Sequence, residues 1–159
     1  MEADRNIPMN YYSSMRIIEE GIKKAFPNPE DYIFVSEGSN TMDISRSIFM
    51  NHYAKQRLDA GTFGTMGIGF PFALAAQVVH PKKQVIMVMG DSAFGFSAME
   101  LETLQRYNLP VKIIIINNNG IAQGVEEIDR SGDPQNIPVT ALSPTARYEL
   151  MAQCFDGKG

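Results

Sequence analysis

Hydrophobic and polar positions recur with two different periods along this chain. Between Met15 and Lys24, apolar residues return every three to four positions among glutamates and lysines, which predicts an amphipathic helix that ends before Pro27. Residues 85–89 and 111–116 are apolar without alternation, a pattern typical of strands buried on both faces of a parallel sheet. A shorter apolar run at 33–35 predicts another strand.

The intervening segments predict helices. Their ranges are 42–52, 72–80 after a glycine-rich stretch, 98–107 and 145–155. Residues 55–60 make a poor strand, and 124–143 are a polar loop. Strand, helix and strand in succession between 85 and 116 form a βαβ unit. The order of elements therefore predicts the α/β class, with a three-layer α/β/α arrangement around a mostly parallel sheet.

Composition narrows the classes of partner. The 159 residues suit one domain, and the formal net charge of −4 attracts neither nucleic-acid phosphates nor anionic lipids. No apolar run approaches the roughly 20 residues of a membrane-spanning helix, so we expect neither a nucleic-acid nor a membrane partner. Cys154, the one cysteine, is expected to be a small core residue.

Polar residues suited to one task follow two of the predicted strands. Asp91 follows the first, and Asn118 follows the second, 118 − 91 = 27 residues later. Magnesium prefers six oxygen ligands; the Asp91 carboxylate, the Asn118 amide and the Gly120 carbonyl would supply three, with two diphosphate oxygens and a water. A helix beginning after Ser92 would turn its free N–H groups toward the same anion. From these residues alone, an ordinary turn and an ordinary loop are an equally good interpretation.

Longer motifs favour the metal site. Gly-Asp-Ser at 90–92, followed by paired asparagines, resembles the signature of thiamin-diphosphate enzymes. SEGSNTMD at 36–43, RLDAGTFGTMG at 57–67 and GDSAFGFSAMELETLQRYNLP at 90–110 are similar to the C-terminal domain of 2-hydroxyacyl-CoA lyases and oxalyl-CoA decarboxylases. DAGTFGT at 59–65 and NNNG at 117–120 resemble the lyase form. Residues 1–159 are thus expected to be a single C-terminal domain with the thiamin-diphosphate-binding fold, taken from a longer enzyme.

The resemblance implies roles for particular residues. Magnesium would be held by Asp91, Asn118 and the carbonyl of Gly120. The residues that would contact thiamin diphosphate lie on four segments, and they are Asn40, Thr41, Gly64, Met66, Gly90, Ser92, Ala93 and Ile121. Among them, Met66 would support the cofactor in a bent conformation, and the Gly64 carbonyl would accept a hydrogen bond from its aminopyrimidine.

The resemblance also implies a reaction and its partners. The bent cofactor places its amino group beside the thiazolium C2 proton, and a lyase of this family cuts a 2-hydroxyacyl-CoA into formyl-CoA and an aldehyde one carbon shorter. The required glutamate comes from the N-terminal pyrimidine-binding domain of a neighbouring subunit in a homodimer or homotetramer. No catalytic residue is therefore expected within this chain, whose Glu100 and Glu102 are interpreted as solvated or structural. The isolated chain is expected to be inactive.

One position departs from the family pattern. Ala122 stands where the family has tyrosine, and residues 125–138 match poorly. Oxalyl-CoA decarboxylase, an acetolactate-synthase-like enzyme and a non-catalytic thiamin-diphosphate-binding module therefore stay open, as does a cytoplasmic or peroxisomal location. A dinucleotide-binding oxidoreductase is disfavoured, because the glycines between 61 and 69 have the wrong order and follow a poor strand.

Overall fold

The computed structural model describes residues 8–125 and 134–159. Its centre is a four-stranded sheet in the order β2-β1-β3-β4. The strands are β1 (Tyr32–Glu37), β2 (Arg57–Leu58), β3 (Gln84–Gly90) and β4 (Lys112–Ile116). Every pair of neighbours is parallel, which confirms the predicted sheet.

Helices cover both faces of this sheet. One face is covered by α1 (Tyr11–Ala25) and α2 (Ser39–Ile48), whose apolar side chains form a hydrophobic cluster with the sheet. The opposite cluster contains residues of α3 (Gly69–Val79), α4 (Asp91–Ser97) and α5 (Glu100–Arg106). The short α6 (Glu149–Gln153) packs partly buried side chains against that second cluster. The three-layer α/β/α arrangement is confirmed.

Local chemistry accounts for the first half of the fold. Asn10 caps α1 by accepting a hydrogen bond from the Ser13 N–H at 2.9 Å. Along β1, successive side chains enter opposite layers: Val35 joins the α3 cluster, whereas Phe34 joins the α1 cluster. The same division in β3 explains why both strands are apolar without alternation.

Several predicted boundaries differ from the observed ones. Helix α2 begins at Ser39 rather than 42 and ends at Ile48 rather than 52. The predicted helix at 98–107 is observed as α5, preceded by the separate α4, and the last helix covers only Glu149–Gln153 instead of 145–155. Part of the predicted polar loop, residues 126–133, lies outside the described residues.

Two further predictions were wrong. The segment judged a poor strand contains β2, in which Arg57 and Leu58 pair with Phe34 and Val35 of β1. Backbone pairing with a buried neighbour, not the apolar character of the segment itself, produces that strand. Cys154 is exposed and free rather than in the core, because α6 is short and lies at the surface. Within the part of the chain that the structure describes, no helix has the length and apolarity needed to span a bilayer.

Candidate functional site

Asp91 lies at the carboxyl edge of the sheet, where β3 and β4 are neighbours. Gly90 pairs with Ile116, so the residues after both strands emerge side by side. The Asp91 side chain is buried, with Oδ1 accepting from the Ser92 N–H at 2.8 Å and Oδ2 accepting from the Gly120 N–H at 3.1 Å. The structure therefore brings together residues that the sequence predicted as metal ligands.

Burial sets the electrostatics of this carboxylate. Loss of hydration raises the pKa of Asp91, and hydrogen bonds from backbone N–H groups, among them those of Ser92 and Gly120, oppose that rise. Among the ion pairs of the described residues, none involves Asp91. A buried carboxylate in such a position is suited to a cation, because the attraction offsets the lost hydration.

Asn118 supplies a second oxygen. Its Nδ2 donates to the Ala122 carbonyl at 3.0 Å, which fixes the direction of the amide. Its Oδ1 is buried and has no hydrogen-bond partner among the described residues. An unpaired buried acceptor near a buried carboxylate is the donor set that magnesium prefers, so these residues fit the metal. The carbonyl of Gly120 as a third ligand stays a prediction.

The loop that carries Asn118 is braced by a later segment of the chain. The Ile121 N–H donates to the Thr140 carbonyl at 2.9 Å, and the Leu142 N–H donates to the Asn119 carbonyl at 2.8 Å. Sequence reasoning missed Thr140 and Leu142, since backbone groups do the bracing and side-chain identity gives no signal. Ile121 itself is half-exposed at the rim of the site.

The part of the site that is predicted to hold the diphosphate lies between the start of α2 and the end of β3. Thr41 is buried, and its hydroxyl lies 3.0 Å from the Tyr11 hydroxyl, a partner that the sequence did not reveal. A Cβ added at Gly90 would lie 3.3 Å from the Thr41 hydroxyl, so the two segments are close. The Ser92 N–H donates to the Asp91 carboxylate at 2.8 Å, and the contact of Ser92 with the diphosphate stays a prediction. Asn40 is half-buried in the first turn of α2, and Ala93 is buried in α4.

The glycine-rich loop, between β2 and α3, lies on the other side of the predicted site. Gly64 and Met66 line a cavity of about 420 Å³ between this loop and the start of α2. Met66 is partly buried and also packs against the α3 cluster. A larger cavity of about 790 Å³ runs beside β4, and neither Asp91, Asn118 nor Gly120 lines it.

An ion pair anchors the start of that loop. Arg46 donates to both carboxylate oxygens of Asp59, at 3.0 and 2.6 Å, and to the Gly61 carbonyl at 3.1 Å. This hydrogen bonding lowers the pKa of Asp59. Sequence reasoning gave Arg46 no role, because opposite charges 13 residues apart carry no periodic signal.

Comparison with known proteins agrees with this geometry. Residues 36–158 match the family described as "Thiamine pyrophosphate enzyme, C-terminal TPP binding domain", where thiamine pyrophosphate is thiamin diphosphate. The matched range includes β3, β4, the glycine-rich loop and every predicted cofactor and metal residue.

Curated relatives carry two related names. The chain is 44% identical to 2-hydroxyacyl-CoA lyase 1 of Homo sapiens, over 100% of this chain and 28% of that protein. It is 41% identical to oxalyl-CoA decarboxylase of Escherichia coli K12, over 96% of this chain and 26% of that protein. The chain thus spans little more than a quarter of these relatives.

A solved structure agrees on the fold. Benzoylformate decarboxylase from Polynucleobacter necessarius superposes with a TM-score of 0.73 at 17% identity, over 98% of this chain and 28% of that one. Together with the family match and the paired strand ends, this places the chain in the C-terminal thiamin-diphosphate-binding domain family of the thiamin-diphosphate enzymes.

Proposed function

We propose that this chain is the diphosphate- and magnesium-binding part of a 2-hydroxyacyl-CoA lyase, which cleaves a carbon–carbon bond to give formyl-CoA and a shortened aldehyde. The cofactor part of the proposal is carried by Oδ1 of Asn118, which lies near the buried Asp91 and has no partner in the described part of the chain. The relative named 2-hydroxyacyl-CoA lyase 1 supports the reaction.

Each group of residues has a distinct task in this proposal. Asp91, Asn118 and the Gly120 carbonyl hold magnesium. Residues of four segments contact the cofactor: Asn40, Thr41, Gly64, Met66, Gly90, Ser92, Ala93 and Ile121. Ser92, whose N–H donates to Asp91, and Ala93 contact the diphosphate through backbone groups. When bound, thiamin diphosphate stores the electrons released as the carbon–carbon bond breaks.

The proposal includes a partner. The cofactor's pyrimidine ring would be covered by the N-terminal domain of a neighbouring subunit, in a homodimer or homotetramer that acts on an acyl-CoA. Large apolar side chains beside the glycine-rich loop support this arrangement, since Phe63 and Phe96 are mostly exposed within this chain.

Cofactor binding is tested first, in the natural full-length protein. We expect thiamin diphosphate to bind in the presence of Mg²⁺ and to be released by a chelator, as measured by calorimetry. Asp91→Asn removes the negative charge that faces the ion, and Asn118→Ala removes an oxygen ligand, so each should weaken binding at least about tenfold. Asp31→Asn, an exposed change next to the opposite end of β1, is the control and should bind as the wild type. Equal affinity with and without Mg²⁺, or an unchanged Asp91→Asn protein, would contradict the metal assignment.

Substrate choice is tested by product analysis. The full-length protein is supplied separately with 2-hydroxyacyl-CoA, oxalyl-CoA and pyruvate, and we expect formyl-CoA and aldehyde from the first. Oxalyl-CoA decarboxylase is the second candidate, favoured by the 41% identical relative. Carbon dioxide from oxalyl-CoA without cleavage of the 2-hydroxyacyl-CoA would establish that candidate. Turnover of none would favour the non-catalytic module that Ala122 suggests.

A further inference from the structure

Glu37 is a buried carboxylate outside the proposed ligand set. It is the last residue of β1, and its side chain is almost wholly inaccessible to solvent. Since side chains alternate along a strand, Glu37 lies on the side of Val35, toward α3. A carboxylate that is removed from water needs compensating hydrogen bonds.

Those bonds come from the junction between the glycine-rich loop and α3. Oε1 of Glu37 accepts from the Gly67 N–H, and Oε2 accepts from the Gly69 N–H at 2.8 Å. Helix α3 has no capping side chain of its own, since Ile68 occupies that position. Glu37 therefore provides the cap from another element, and its negative charge lies at the positive end of the helix.

The fit around this carboxylate is tight. A Cβ added at Gly69 would lie 2.4 Å from Oε2 of Glu37. A side chain at 69 and the carboxylate in its observed place are therefore incompatible.

The contact reaches the cofactor-binding loop through the chain itself. Met66 directly precedes Gly67, and Gly64 is only three residues before it. Within the loop, the Gly64 N–H donates to the Ala60 carbonyl at 3.2 Å. The start of the loop is fixed by Asp59, and its end is fixed by Glu37.

We propose that Glu37 is a positioning residue, which holds Met66 in the place where it supports the bent cofactor. This inference rests on the proposed function. The competing interpretation is that Glu37 only caps α3, in which case its loss lowers stability and leaves cofactor chemistry unchanged.

The first test replaces the carboxylate in the full-length protein. Glu37→Gln keeps the size of the side chain but turns an amide NH₂ toward one of the two backbone N–H groups. We expect the C2 proton of bound thiamin diphosphate to exchange with deuterated solvent at least about tenfold more slowly, because small misplacements have large rate effects. Magnesium-dependent cofactor affinity should stay within about threefold, since the metal ligands are untouched. Amide hydrogen exchange at Gly67 and Gly69 should accelerate.

A matched control separates positioning from stability. Glu19 is also a buried acid, paired with Arg16 and Lys23 on α1 across the sheet. Glu19→Gln should lower the melting temperature without slowing C2 proton exchange. If Glu37→Gln behaves in the same way, Glu37 is only a helix cap and the proposal is overturned.

A double-mutant cycle tests the route. If Glu37 acts through Met66, Glu37→Gln should change C2 proton exchange less than about twofold in a Met66→Ala background. A full effect in that background would also overturn the proposal. If Glu37→Gln does not fold, Gly69→Ala replaces it, because the added Cβ displaces the carboxylate. A wild-type protein that binds no thiamin diphosphate refutes the proposed function, whereas normal binding with an unaffected Glu37→Gln variant refutes this inference alone.

Discussion

Asn118 owes the direction of its amide to a backbone carbonyl. Nδ2 donates to the Ala122 carbonyl, and the buried Oδ1 has no partner within residues 8–125 and 134–159. Ala122 adopts a left-handed conformation, with φ of 57°, as it makes this contact. The amide of Asn118 is thus oriented by the backbone of Ala122, a position at which the sequence departs from the family pattern. Because the contact uses the carbonyl of Ala122 and not its side chain, the departure leaves this hydrogen bond in place.

Substitution of Gly124 tests whether the backbone around Asn118 shapes the site. Its φ is +78°, and an added Cβ would lie 2.2 Å from the Asn118 carbonyl oxygen. We expect Gly124→Ala to lower the free energy of unfolding by about 2 kcal/mol. It should also weaken Mg²⁺-dependent binding of thiamin diphosphate, as measured by denaturant titration and calorimetry of the full-length protein.

The control for this change is Gly21→Ala. Gly21 is exposed on α1, and no atom lies within 4 Å of its added Cβ. Alanine in a helix interior is favoured by about 0.5–1 kcal/mol, so this variant should be more stable with unchanged cofactor affinity. Equal effects of the two substitutions would show that the backbone at 124 does not shape the site.

At the scale of elements, the glycine-rich loop depends on two acids at its ends. Asp59 holds its start through Arg46, and the lowered pKa of Asp59 reports that bond. A carboxyl whose folded-state pKa is depressed contributes stability above its unfolded pKa of 3.8 and loses it as the pH falls through the folded value.

Asp59→Asn should therefore have a pH-dependent effect. At pH 7 we expect the variant to be less stable by about 1 kcal/mol, because the pair is only partly buried. The difference from wild type should shrink as the pH is lowered through the folded pKa of Asp59, in denaturation curves of the full-length protein recorded from neutral to acidic pH. Asp43→Asn, an exposed change 3.5 Å from the same Arg46, should show a smaller, flatter difference.

Elements with a strong periodic signal were predictable, and those formed by tertiary pairing were not. The apolar runs of β3 and β4 and the amphipathic α1 follow directly from side-chain burial. Strand β2 has no such signal, since Arg57 and Leu58 are a strand only because β1 offers hydrogen bonds. The start of α2 was predicted three residues too late, because Gly38 at its N-cap has no capping side chain that would mark the start in the sequence. In the site, type and spacing predicted that the residues after β3 and β4 meet, and the contact between Asp91 and Gly120 confirms this, whereas the metal ligands stay a prediction. Glu37 and Arg46 act through contacts that spacing does not encode.

At the scale of the whole molecule, the sheet divides the fold into two hydrophobic clusters and leaves the site at its carboxyl edge. Apolar surface remains exposed beside that edge. Phe63 is 91% exposed and Phe96 is 65% exposed. Phe96 lies against the end of the loop that carries Phe63, because its Cβ would be 3.6 Å from a Cβ added at Gly67. The neighbouring subunit that we propose would bury both rings by contacting this edge.

Serine at either ring should therefore weaken assembly of the full-length protein. Burying a phenylalanine contributes about 1.5–3 kcal/mol, so Phe63→Ser or Phe96→Ser should raise the subunit dissociation constant roughly tenfold or more. Sedimentation over a range of protein concentrations measures this change. Tyr107→Ser is the control, because Tyr107 is 63% exposed but follows α5 at the amino edge of the sheet, where its ring contacts Arg106. If both phenylalanine variants assemble as tightly as the control, the neighbouring subunit covers a different surface and the proposed source of the missing glutamate must be sought there.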